Sequence, residues 1–239
     1  MSDCSDNYDY CMEEFYGFLI DNYTIPLYFI TWIVVIFRYR IYVDTPLKFF
    51  PIFIIYTFLT EVLGYLIWRF DEFQFLADDA YSNYNVIVYN FYAFISFQFF
   101  YYVYWNVLKR EKHKKWVMYG VYTSILAFLV SLFFQNPFHI SLYYADIISS
   151  LILLICIGLY IHEKRTDKEM YPTKHNLMFW TTLGLAIFYC FFPIIYYLGH
   201  ELPTVASNYG VFNILMIVVL FMYACFIAGA IFGRRKTFR

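Results

Sequence analysis

Residues 209–236 read YGVFNILMIVVLFMYACFIAGAIFGRRK. From Tyr209 to Gly233 no side chain is charged, and Arg234, Arg235 and Lys236 follow at once. A helix needs about 20 mostly apolar residues to cross a hydrocarbon core about 30 Å thick. This run is long enough, is apolar on all faces, and ends in cations suited to a headgroup layer. A membrane strand would be about ten residues long and would alternate apolar with polar. Lipid offers backbone groups no partner, so they must be satisfied within the segment, and a helix is the form that remains.

Working outward from this run, six more stretches read the same way: 23–40, 48–68, 85–108, 115–134, 139–161 and 176–199. The expected fold is therefore all-α: a polytopic membrane protein whose seven-helix transmembrane bundle fills residues 23–233. An acidic tail (1–22) precedes the bundle, and a basic tail (234–239) follows it. The first stretch is the shortest, but Arg38 and Arg40 close it and long cationic side chains can snorkel to the headgroups. Composition agrees, with 62% hydrophobic and 15% charged residues, against about 25% charged in a soluble domain. No cleavable signal peptide is visible, because the first residues are acidic and polar.

Basic residues set the expected orientation. Lys and Arg fall after the first, third, fifth and seventh stretches, and Arg69 is the single exception among 17. The positive-inside rule puts that side in the cytoplasm, with the N-terminus outside. Trp68, Trp105, Trp116 and Trp180 lie near the ends of stretches, as an interfacial belt requires, whereas Trp32 lies inside the first. Cys156, Cys190 and Cys225 fall in apolar runs and read as packing residues. Cys4 and Cys11 lie in the acidic tail, where a disulfide and two free thiols are both open readings.

Ionisable groups inside a span are costly and are candidates for function. Glu61 and Asp146 are the two clear cases, each roughly 10–12 Å from the outer end of its span at 1.5 Å per residue. Asn90 and Asn213 enter from the same side. Thr57 shares a helix face with Glu61, Tyr143 with Asp146, and Tyr189 and Tyr196 with Pro193, since residues three, four and seven apart lie together. Pro193 is expected to kink its helix. These residues suggest an outward-facing polar pocket walled by aromatics; interhelical hydrogen bonding that only holds the bundle together accounts for the same pattern. A carboxylate stripped of water, with no base near it, holds either a proton or a bound cation. The eleven acids expected on the outer face would concentrate cations there.

The cluster Lys109, Arg110, Lys112, Lys114 and Lys115 is suited to anionic lipid or a cytoplasmic partner, and topology anchoring alone also explains it. Gly229 and Gly233 form a GxxxG pair that would permit a homodimer. Nothing suggests nucleic-acid binding, for the net charge is −1. His162-Glu163 and His200-Glu201 lack the second His of a zinc-protease helix. There is no phosphate loop and no GxSxG elbow, so no catalytic residue, metal ligand or cofactor is expected, although an integral-membrane enzyme stays open.

Seven helices with an outside N-terminus resemble G-protein-coupled receptors in topology. Asn106-Val107-Leu108-Lys109-Arg110 does not match their Asp-Arg-Tyr, and the last span lacks Asn-Pro-x-x-Tyr. It also lacks the lysine of a rhodopsin. Thr60-Glu61-Val62-Leu63, Asn90-Phe91-Tyr92, the Phe179-Trp180 to Gly184 stretch and Asn213-Ile214-Leu215 carry a different likeness. With these the chain resembles small bacterial seven-helix integral membrane proteins that have no assigned activity. That resemblance implies a bacterial inner membrane and a shared structural or ligand site at Glu61 and Asn90. The expected function is a sensor-like or receptor-like module that binds a small ligand and signals through a separate cytoplasmic partner. The alternatives are a proton-coupled carrier using Glu61 and Asp146, and a non-catalytic scaffold or accessory subunit.

Overall fold

A computed structural model describes residues 22–73, 85–166 and 175–234. The acidic tail with Cys4 and Cys11, and the basic tail from residue 235 onward, lie outside the described residues. All regular structure within them is helical: α1 (Thr24–Phe37), α2 (Phe50–Arg69), α3 (Val86–Val107), α4 (Glu111–Phe134), α5 (Tyr143–Thr166), α6 (Leu177–Glu201), the short α7 (Pro203–Asn208) and α8 (Val211–Phe232). Six helices, α2 to α6 and α8, are long and apolar enough to cross a membrane. The chain is thus a helical, polytopic integral membrane protein. Its outer faces bear this out: Phe133 and Phe134 are 86% and 81% exposed, and only 33% of the apolar window of α4 is buried. Apolar surface on that scale is solvated by lipid, not water.

The helix ends differ from the sequence expectation for local reasons. α1 has 14 residues, about 21 Å of rise, and stops before Arg38. There the guanidinium donates to the carbonyls of Ala230 (3.1 Å) and Ile231 (3.0 Å). Those are among the last carbonyls of α8, which have no partner in their own helix. α4 begins at Glu111, not 115, with an acid in the first turn where the helix dipole favours it. α5 begins at Tyr143, not 139, because residues 136–142 turn, with the Asn136 carboxamide oxygen accepting from the Phe138 amide (3.1 Å).

The helices close into a ring. α1 packs on α2, α2 on α3, α3 on α5, α5 on α6, α6 on α8, and α8 returns to α1. α4 stands outside the ring against α3 and α5. α1 and α8 run parallel: the rings of Tyr28 and Tyr223 lie 4.4 Å apart, and Arg38 meets Ala230 further along. The longest seam joins α6 and α8. A Cβ on Gly184 would lie 3.0 Å from the Met222 carbonyl, and one on Gly229 would lie 2.8 Å from Leu177 and Trp180. Glycine is needed here for close approach. Gly229 therefore serves a contact inside one chain, and Gly233 lies against the carbonyls of its own helix.

Candidate functional site

Within the ring lies a partly open cavity of about 420 Å³, lined from α1, α2, α3, α6 and α8 and by nothing from α4 or α5. Along α3, Tyr89, Tyr92 and Ser96 follow one another at helical spacing and face inward. α1 adds Thr24 and Tyr28, α6 adds Tyr189 and Tyr196, and α8 adds Tyr223. Six tyrosines thus surround one carboxylate, Glu61. Among the described residues, no Lys, Arg or His lines the space.

Glu61 is held by one donor. The Tyr89 hydroxyl gives its hydrogen bond to Glu61 Oε2 at 3.0 Å. Two features of the chain position Tyr89. Asn85, just before α3, donates to the Gly64 carbonyl of α2 at 3.1 Å and joins the two helices. Gly64 itself leaves the ring room, since a Cβ there would sit 2.5 Å from the Tyr89 hydroxyl oxygen. Thr57, one turn before Glu61, lies 3.3 Å from the Tyr92 hydroxyl and donates to the Phe53 carbonyl at 3.0 Å. Ser96 is buried and lines the cavity near Tyr92, yet its hydroxyl has no well-formed hydrogen bond.

The cavity is graded. Glu61 and Tyr89 lie at one level, with Thr24 and Tyr196. Phe53, Phe97, Phe100 and Phe226 line the other end. Glu61 and Phe53 are eight residues apart on α2, about 12 Å along its axis.

Of the four polar groups expected to meet, Glu61 is the one that faces this cavity. Asn90 turns away to pin the connection between α4 and α5. Its amide donates to the carbonyls of Pro137 (2.8 Å) and Ile140 (3.3 Å), and its oxygen accepts from the Leu142 amide (2.9 Å). Asn213 is exposed in the first turn of α8. Asp146 is 1% exposed in the first turn of α5. Ser141 donates to its Oδ2 at 3.3 Å, and its Oδ1 has no hydrogen-bond partner among the described residues. It lies behind the cavity wall, where Tyr196 is within electrostatic reach of both Asp146 and Glu61. Tyr143 leaves this group altogether. Its hydroxyl donates to Glu201 at 2.6 Å, and it borders a separate groove between α4 and α5. Pro193 is buried within α6, which stays helical on both sides. It has no N–H to give the Tyr189 carbonyl.

Tyr28, Tyr89, Tyr92 and Tyr223 escaped the sequence reading. With 27 tyrosines in the chain, their inward spacing did not stand out. A second buried carboxylate was also missed. Glu163, near the end of α5, accepts from the amides of Lys109 (2.7 Å) and Arg110 (2.9 Å) and lies 3.0 Å from His113 Nδ1. It caps α4 and fixes the basic cluster to the bundle. Lys112 and Lys115 point outward, while Lys114 pairs with Glu111 (3.0 Å) beside Trp105.

No family model, curated protein or solved structure matches the chain.

Proposed function

We propose that the chain is a sensor-like membrane module that crosses the bilayer seven times, in the inner membrane of a bacterium, with the N-terminus outside. A small ligand occupies the Glu61 cavity, and a separate cytoplasmic partner reads the basic loops. The observation that carries this reading is the cavity between the helices of the ring, with a single under-partnered carboxylate in its lining. A wall of that cavity is the proline-bearing helix α6, which lacks one backbone hydrogen bond and so bends more easily there. For α1 to be the seventh crossing, the bilayer thins locally around its short length. Its parallel course beside α8 supports this, since it brings the C-terminal ends of the two helices to one level.

The test uses full-length protein in lipid nanodiscs and a panel of small amines, acids and neutral compounds. A ligand that stabilises wild type but not Glu61→Gln is expected to alter amide exchange in residues 108–115. If such a ligand leaves those amides unchanged, the sensor reading fails. Glu61-dependent flux through liposomes would replace it with the carrier. Terminal tags found in the same compartment would remove the seven-crossing topology.

A further inference from the structure

On the footing that the cavity is a ligand site, we infer that it takes an organic cation: an ammonium group beside Glu61 and the tyrosines, joined to an apolar group that lies against the phenylalanines.

The carboxylate sets the sign of the ligand. A buried charge is tolerated when it is paired and hydrogen-bonded. Glu61 has one donor among the described residues, the neutral Tyr89 hydroxyl, and no base lines the cavity. An anion would face both this carboxylate and the negative faces of the rings. A cation meets attraction from each, because an aromatic face draws an ammonium within about 6 Å of its centroid. The rings are already packed in fixed geometries around the space. Tyr92 lies 5.8 Å from Tyr56 and 6.5 Å from Phe53, and Tyr28 lies 4.4 Å from Tyr223. A wall ordered in this way is preorganised for a ligand.

The rest of the lining separates an organic cation from a metal ion. Calcium takes about six to eight oxygen ligands, several of them carboxylate. Here one carboxylate lines the space, and no group of three or more His, Cys, Asp or Glu is placed to hold a metal among the described residues. An ammonium carrying methyl or methylene groups needs fewer polar partners and gains from the rings. The far end then sets the ligand's other half. Phe53, Phe97, Phe100 and Phe226 offer no hydrogen bond, and they begin about 12 Å from Glu61 along the helix axis. An apolar substituent on the amine fills that end.

Benzyltrimethylammonium and its neutral isostere neopentylbenzene make the test, with binding to the full-length protein in nanodiscs read by calorimetry. Wild type is expected to bind the cation at least about tenfold more tightly than the isostere. Glu61→Gln should cut the cation's advantage to the part that the rings supply while still binding the isostere, which shows that the variant is folded. Tyr92→Phe keeps the preference and Tyr92→Leu reduces it, an independent readout should the Glu61 variant misfold. Equal binding of both probes by wild type, binding of neither, or a preference that Glu61→Gln leaves undiminished overturns the inference. The two readings fail separately. A neutral ligand that binds and moves the loops leaves the sensor standing without the cation. A cation that binds through Glu61 and leaves the loops still does the reverse.

Discussion

Glu163 and Glu61 are two shielded carboxylates in one bundle, and their surroundings could hardly differ more. Glu163 takes two backbone amides and lies against an imidazole. Glu61 takes one phenol. The first arrangement leaves the carboxylate little unused capacity, since two oxygens offer about four acceptor sites. The second leaves most of that capacity free and aims it into open space. Degree of satisfaction, together with a place on the cavity lining, separates the clamp Glu163 from the candidate binding group Glu61.

The largest effect is expected where the contrast is broken from the satisfied side. Glu163→Ala removes the cap of α4 and strands two amides, which should cost about 3 kcal/mol. Thermal unfolding in detergent would measure it, and a loss below about 1 kcal/mol would mean that Glu163 is no clamp. Next comes Gly64→Ala. The added methyl collides with Tyr89 and pulls it, the one donor to Glu61 among the described residues, off the carboxylate, at about 2 kcal/mol in the same assay. An unchanged midpoint would show that Tyr89 moves without penalty. Asn90→Ala strands the turn between α4 and α5 and should cost about 1.5 kcal/mol. Its signature is faster amide exchange at Leu142 with binding in the Glu61 cavity intact; lost binding would put Asn90 back in the site. The smallest effect belongs to Glu61→Gln, which keeps an acceptor for Tyr89 and should shift stability by less than about 0.5 kcal/mol. A large loss there would make Glu61 a second clamp and erase the distinction.

Sequence revealed the fold more readily than the site, and the reason is physical. Lipid imposes one severe rule on long segments, and runs such as 209–233 obey it visibly. The end of α1 was harder, because Arg38 stops the helix by reaching carbonyls 192 and 193 residues away. The polar groups were harder still. Glu61 drew attention on the strength of its cost in lipid. Asn90 carries the same signal, but its partners are backbone carbonyls of a turn, which no side-chain pattern betrays. Glu163 gave no signal beyond the rejected His162-Glu163 pair, since two of its donors are main-chain amides. The tyrosine wall was hidden by abundance: when more than one residue in ten is tyrosine, spacing alone selects nothing.

The closed ring also dictates an order of assembly. Among the described helices α8 leaves the ribosome after the others, yet it is the piece that joins α6 to α1. Until it inserts, the nascent bundle is a curved palisade with a gap, and the space around Glu61 is a cleft open to lipid. A chain cut short before Val211 would thus be inserted with the space around Glu61 never closed off.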